Sequence, residues 1–179
     1  MYYKTTYESP IGGLTLASNE DYLVGVWTEN QKYFGATLLE EPAEKADLPL
    51  FDTVRLWLDR YFAGEKPAIS QLPMALIGSE FRQTVWGILC QIPYGETATY
   101  GQIAKEAAQR LGRPRMSAQA VGGAVGHNPI SIIIPCHRVV GSNGSLTGYA
   151  GGIGKKVWLL SHEGVEMNRL KVPTKGTAL

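Results

Sequence analysis

Two hydrophobic periods divide the chain. Between residues 13 and 27 apolar positions alternate with small or polar ones, so that Gly13-Leu14-Thr15-Leu16-Ala17 and Tyr22-Leu23-Val24-Gly25-Val26-Trp27 read as half-buried strands joined by a turn at Asn19-Glu20-Asp21. From residue 51 the period becomes helical. Phe51, Val54, Leu58 and Tyr61 share one face, Trp57 and Phe62 widen it, and Gly64 ends it. The stretch Glu65 to Leu76, with Pro67 and Pro73, reads as a linker to a second unit.

That second unit is predicted to be mostly helical. Ser79 caps a helix whose apolar face is Phe81, Val85, Ile88, Leu89 and Ile92, and Pro93 stops it. Thr99-Tyr100-Gly101-Gln102 has capping-box spacing, followed by Ile103, Ala104, Ala107, Ala108 and Leu111 at helical intervals and by Gly112. A basic turn, Arg113-Pro114-Arg115-Met116, leads to Ser117 as the cap of a helix over residues 118–126. A last short helix, Lys155 to His162, ends before Gly164, with Trp158, Leu159 and Leu160 to dock it. The expected class is α+β, with a scaffold domain at 1–75, a second domain at 76–170 and a tail at 171–179.

Composition adds three constraints. With 179 residues, 44% of them hydrophobic, the chain can build a real core. Only two cysteines, and no apolar leader after Met1, imply a reducing, cytoplasmic setting and not a disulfide framework; no run is long enough for a membrane span. Net charge is unevenly spread. Residues 1–70 hold six basic and eleven acidic side chains, whereas residues 99–160 hold seven basic ones against Glu106 alone, the pattern of a face for a polyanion.

Chemistry concentrates in Ile132-Ile133-Ile134-Pro135-Cys136-His137-Arg138-Val139-Val140, which sets a thiol beside an imidazole and a guanidinium at the end of an apolar strand. Burial alone holds a thiol neutral, and neighbouring cations lower its pKa toward a nucleophilic thiolate. Glu163 is the candidate to orient His137, since a catalytic imidazole needs a third group. Adjacent side chains of an extended chain point to opposite faces, so either the chain turns sharply at Cys136 or a water joins sulfur to imidazole. Cys90 has nothing around it to activate a thiol and reads as a packing residue.

The helix pair at 100–126 has a helix-turn-helix pattern, yet its second helix lacks the Arg, Asn and Lys that read base edges. Its small side chains suit close approach to another helix or to the minor groove. Gln119, its one long polar residue, can fill the space left by a base turned out of the stack.

Taken together, Ile134-Pro135-Cys136-His137-Arg138-Val139, Ala120-Val121-Gly122-Gly123-Ala124, Asn128-Pro129, Thr147-Gly148-Tyr149-Ala150-Gly151-Gly152 and His162-Glu163-Gly164 resemble the O6-alkylguanine-DNA alkyltransferases. The detailed likeness covers about residues 79–166; before it, only length and pattern agree. It implies a ribonuclease-H-like N-terminal domain followed by a winged-helix-like DNA-binding domain. It also implies that Cys136 accepts the alkyl group, that His137 takes its proton through a water, that Glu163 holds the imidazole, and that Tyr100 protonates the departing guanine. By the same likeness the carbonyls of Cys136 and Val139 and the amide of Ala150 meet the base. Asn128 ties the recognition helix to the active-site strand, and Tyr149 and Lys156 line the pocket. Arg138 and the helix residues Ala118, Gln119, Ala120, Gly122 and Gly123 fall to the substrate and DNA side.

Gln119 stands where many members carry arginine, which predicts weaker DNA binding with unchanged chemistry. Zinc-bearing members place Cys and His in the N-terminal domain, and residues 1–70 contain neither, so no metal or cofactor is expected. The expected partner is duplex DNA carrying O6-alkylguanine, bound through the minor groove by a monomer with no membrane association. A multi-turnover cysteine hydrolase, a non-catalytic binder of alkylated DNA and a sequence-specific transcription factor are the alternatives. The first leaves the basic helix pair unexplained, the second lacks the cysteine, and the third needs absent base-reading side chains.

Overall fold

The structure, a computed structural model, describes residues 1–173. Three strands form an antiparallel meander: β1 (Tyr3–Ser9), β2 (Gly12–Ser18) and β3 (Leu23–Thr28). A two-residue β4 (Ala43–Glu44) adds in parallel to β1, giving the order β3-β2-β1-β4. The alternation of β2 sends Leu14 and Leu16 toward α1 (Pro49–Phe62), where they join Phe51, Val54 and Leu58 in the core. Strand β1 was not legible beforehand, because Tyr3, Thr5, Tyr7 and Ser9 mix aromatic and polar residues on one face.

The second half packs α2 (Glu80–Leu89), α3 (Tyr100–Arg110) and α4 (Ala118–Gly126) against one another, with α5 (Ile153–His162) following the active-site segment. All three predicted caps are present: Ser79 accepts from the Arg82 amide, Ser117 from Ala120, and Thr99 with Gln102 completes a reciprocal capping box. The Trp86 indole donates to the Ala124 carbonyl at 2.8 Å, which locks α4 onto α2. A two-stranded parallel ribbon joins β5 (Ala98–Thr99) to β6 (Val139–Val140). Cys90 caps the C-terminal end of α2 and packs against the core, its thiol pKa raised by burial.

Two expectations need correction. The stretch 65–76 is not a free linker: Met74 bridges Leu23, and the Ala75 amide donates to the Leu23 carbonyl at 3.0 Å, so the connection extends the first sheet. Nor is Ile132–Ile134 a strand. It is a succession of tight turns. Ile132 has φ +72°, and the Ile133 amide donates across it to the Ser131 carbonyl at 2.8 Å, the γ-turn form that strains a β-branched residue. Of the expected tail, Lys171 exchanges backbone hydrogen bonds with Gly144 and Leu146, and residues 174–179 lie outside the described residues. Among the described residues no helix is long and apolar enough to cross a membrane.

Candidate active site

A second γ-turn, at Pro135 with φ −81° and ψ 64°, closes through the Cys136 amide onto the Ile134 carbonyl at 2.8 Å and aims residues 136–138 into a single 3-10 turn. The chain therefore turns sharply at the cysteine. Asn128, just past α4, fastens this turn. Its side-chain amide donates to the Ile134 carbonyl at 2.9 Å while its oxygen accepts the Ile130 amide at 3.0 Å. The N-terminal half supplies another fastening, since the Gln31 side-chain oxygen accepts from the Ser131 hydroxyl at 3.0 Å and from the Thr28 amide at 3.0 Å.

Cys136 is buried, and burial raises its pKa more than its neighbours lower it. Those neighbours are the Asn128 side chain, the Lys156 ammonium and the amides of Cys136 and His137. The expectation that adjacent cations leave a standing thiolate is thus corrected: at rest the sulfur keeps its proton. Arg138 does not face the sulfur at all. It turns inward, its Nε donating to Glu163 Oε1 at 2.6 Å and its Nη1 to the Ile92 carbonyl at 2.6 Å, which removes it from the DNA-facing set. The cation that does act on the sulfur is Lys156, fully buried, whose Nζ donates to the carbonyls of Val139 and Thr147. Burial brings its pKa down to about 8, against the pull of Cys136.

His137 and Glu163 form the expected pair. The imidazole Nε2 lies 2.6 Å from Glu163 Oε2, and burial keeps the ring neutral, so Nε2–H donates and Nδ1 carries the lone pair. Nδ1 is buried with no hydrogen-bond partner among the described residues. Burial would raise the carboxyl pKa of Glu163, but hydrogen bonds from His137 and Arg138 and the charge of Arg138 outweigh it and hold the value at about 2. Tyr61, on α1, adds a hydrogen bond from its hydroxyl to Glu163 Oε2 at 3.0 Å. Sequence reasoning assigned no chemistry to the first seventy residues; the available signal was a tyrosine in a buried helical stripe, whose hydroxyl needs a partner.

These shifts predict acid lability. Glu163 and His137 both have folded pKa values below their ordinary ones, so each contributes stability above its ordinary value that is lost as pH falls. Urea midpoints are expected to decline from pH 6.5 downward and most steeply below 4.5, with Glu163 alone accounting for about 3 kcal/mol. A flat profile between pH 7 and 4 would contradict this assignment.

The remaining candidates gather round the sulfur or the surface above it. The Tyr100 hydroxyl donates to the Thr147 carbonyl at 2.9 Å, and burial together with the nearby cysteine pushes its pKa up to about 12. Its tip crowds Gly148, which has φ +77° and where a Cβ would lie 2.7 Å from the hydroxyl oxygen, so no side chain fits there. Tyr149 is buried beside the sulfur, and its hydroxyl has no partner among the described residues. A cleft of about 540 Å³ opens beside Tyr149, bounded by Gly122, Gly123 and Gly126 of α4, by residues 148–152 including Ala150, and by Glu29, Asn30, Lys32 and Tyr33. Ala118, Gln119, Ala120 and Gly123 form the exposed face of α4.

Comparison with known proteins agrees with this geometry. The family model described as 6-O-methylguanine DNA methyltransferase, ribonuclease-like domain, matches residues 2–76, and the one described as its DNA binding domain matches residues 80–165. The methylated-DNA–protein-cysteine methyltransferase of Haemophilus influenzae is 42% identical over 161 residues, covering 90% of this chain and 86% of its own. That of Mycobacterium tuberculosis is 44% identical over 163 residues, covering 91% and 93%. A crystal structure of Mycobacterium tuberculosis OGT in complex with DNA superposes with a TM-score of 0.74 at 41% identity, covering 94% of each chain. With both halves matched in order and the turn, thiol and imidazole–carboxylate pair in place, this chain belongs to the 6-O-methylguanine DNA methyltransferase family.

Proposed function

We propose that this protein repairs O6-alkylated guanine in duplex DNA by moving the alkyl group, once and irreversibly, onto Cys136. The observation that carries the reading is the polarised His137: neutral, donating from Nε2 to Glu163, with a buried Nδ1 lone pair that has no partner among the described residues. Such a nitrogen accepts the thiol proton through one bridging water at the moment of attack, so the sulfur is ionised only when needed. The thiolate then attacks the alkyl carbon, the carbon–O6 bond breaks, and its electron pair passes to the guanine. Tyr100 releases its proton to the base, and the imidazolium formed on His137 rests against the Glu163 carboxylate until its proton returns through water to the Tyr100 phenolate, so that the thiol proton is balanced by the one now on the guanine. The product is a thioether, which offers no leaving group, so each chain acts once.

The DNA side of the proposal rests on α4. Its exposed face is built from Ala118, Gln119, Ala120 and Gly123, small enough for the helix to lie in a minor groove, with Gln119 placed to occupy the gap left by the rotated nucleotide. The amide of Ala150 and the carbonyls of Cys136 and Val139 are the groups proposed to read the base. A monomer suffices, because every residue named comes from one chain. Intact-mass analysis after incubation with an oligonucleotide carrying O6-methylguanine tests the function: one added methyl per chain, mapped to Cys136, is expected, and an unmodified chain with lesion intact refutes it.

Tyr100→Phe isolates the proton donor. Loss of the hydroxyl is expected to slow single-turnover transfer by about 10²-fold, the lower range for a positioned general acid, while duplex affinity is unchanged. A wild-type rate in this variant would remove Tyr100 from the mechanism.

A further inference from the structure

The cleft bordered by Tyr149, and by Gly122 and Gly148 against which Tyr100 packs, reaches the two tyrosines beside the sulfur and has one wall from the N-terminal half. Residues 148–152 form a second wall, and the third is α4 backbone at Gly122, Gly123 and Gly126, where there is no side chain to move aside. Facing it, the Tyr33 ring lies flat on the His127 imidazole, with centroids 3.7 Å apart and planes 20° from parallel, and Lys32 Nζ stands 5.5 Å from the centre of the Tyr33 ring. Tyr33 is 44% exposed, so packing in the core does not account for its position.

The backbone that carries this ring is held under strain. Asn30 and Tyr33 have φ of +57° and +61°, a left-handed conformation that a bulky side chain rarely adopts. Two bonds keep it there: the Lys32 amide donates to the Ala150 carbonyl at 3.1 Å, and Lys155 Nζ donates to the Glu29 carbonyl at 3.1 Å. The ring cannot withdraw without loosening the loop that presents Ala150 to the base.

We propose that Tyr33, seated on His127, is a specificity-determining residue that limits the size of the O6 substituent this protein accepts. The inference rests on the repair function proposed above. A methyl group is consumed at the sulfur without reaching the ring. A larger substituent extends into the space between α4 and Tyr33 and meets a wall that is fixed on both sides.

The test is the ratio of single-turnover rates for duplexes carrying O6-benzylguanine and O6-methylguanine. Tyr33→Ala is expected to raise the benzyl-to-methyl ratio about tenfold, the low end of what a pocket wall discriminates, with methyl transfer retained. Tyr33→Phe, which keeps the ring, is expected to leave the ratio at the wild-type value. A loss of stability alone slows both substrates alike and does not move the ratio. An unchanged ratio in folded Tyr33→Ala overturns the proposal; if that variant does not fold, His127→Ala removes the seat of the ring and must shift the ratio in the same direction. Failure of wild type to take up methyl would instead overturn the repair function, a result distinguishable from an unchanged ratio.

Discussion

Cys136→Ser is expected to yield a folded protein that binds duplex DNA and takes up no alkyl group. Serine preserves the shape of the side chain and its neighbours, Asn128 and Lys156, but its hydroxyl is far harder to ionise than a thiol and its oxygen is a poorer nucleophile toward saturated carbon. The thiol of Cys136 is itself raised by burial, so His137 already works against a penalty, and a hydroxyl adds to it. Transfer is expected to fall by at least about 10³-fold, equivalent to about 4 kcal/mol on the barrier. Wild type should transfer one equivalent per chain and then stop. Repair by the serine variant, or several equivalents from one wild-type chain, would each contradict the assignment.

Glu163→Gln is expected to damage stability and chemistry together. The carboxylate accepts from His137, Arg138 and Tyr61, and its side chain is wholly buried. A glutamine has one acceptor oxygen and one donor nitrogen, so either Arg138 or His137 must face a donor. Arg138 keeps its bond to the Ile92 carbonyl but loses its counter-charge in a buried site, a change that costs about 3–5 kcal/mol. If the amide nitrogen faces His137, the ring takes the other tautomer, with its proton on Nδ1, and can no longer accept from the thiol. Urea denaturation checks the first effect and the pH dependence of single-turnover transfer the second. Tyr61→Phe is the control, removing one hydrogen bond to the carboxylate for about 2 kcal/mol while leaving the Arg138–Glu163 ion pair intact.

The helices of the second half were legible because their signals are local. Ser79, Thr99 and Ser117 announce starts, and the apolar spacing in between fixes the buried faces. Cys136, His137 and Glu163 were legible as a set because reactive residue types cluster in a short apolar run and a helix end. Arg138 was misassigned for a physical reason: sequence adjacency to the sulfur says nothing about a side chain long enough to turn back onto a buried carboxylate. Tyr61 and Tyr33 were missed because their roles depend on contacts across 102 and 94 positions of chain, to Glu163 and His127. The turns at Ile132 and Pro135 were mistaken for a strand because an Ile-rich run has the composition of one. Only the tertiary hold of Asn128 and Gln31 makes a positive φ at an isoleucine tolerable.

The parts that arm the sulfur arrive in order along the chain, Tyr61 first, then Cys136 with His137, and Glu163 last of all. Since a nascent polypeptide emerges from its N-terminal end, the thiol is made well before the carboxylate that orients its proton acceptor. A molecule that can react only once would be wasted by an early encounter with an alkylating agent. With Glu163 behind α5, the carboxylate that pairs with His137 is added only after synthesis has passed that helix.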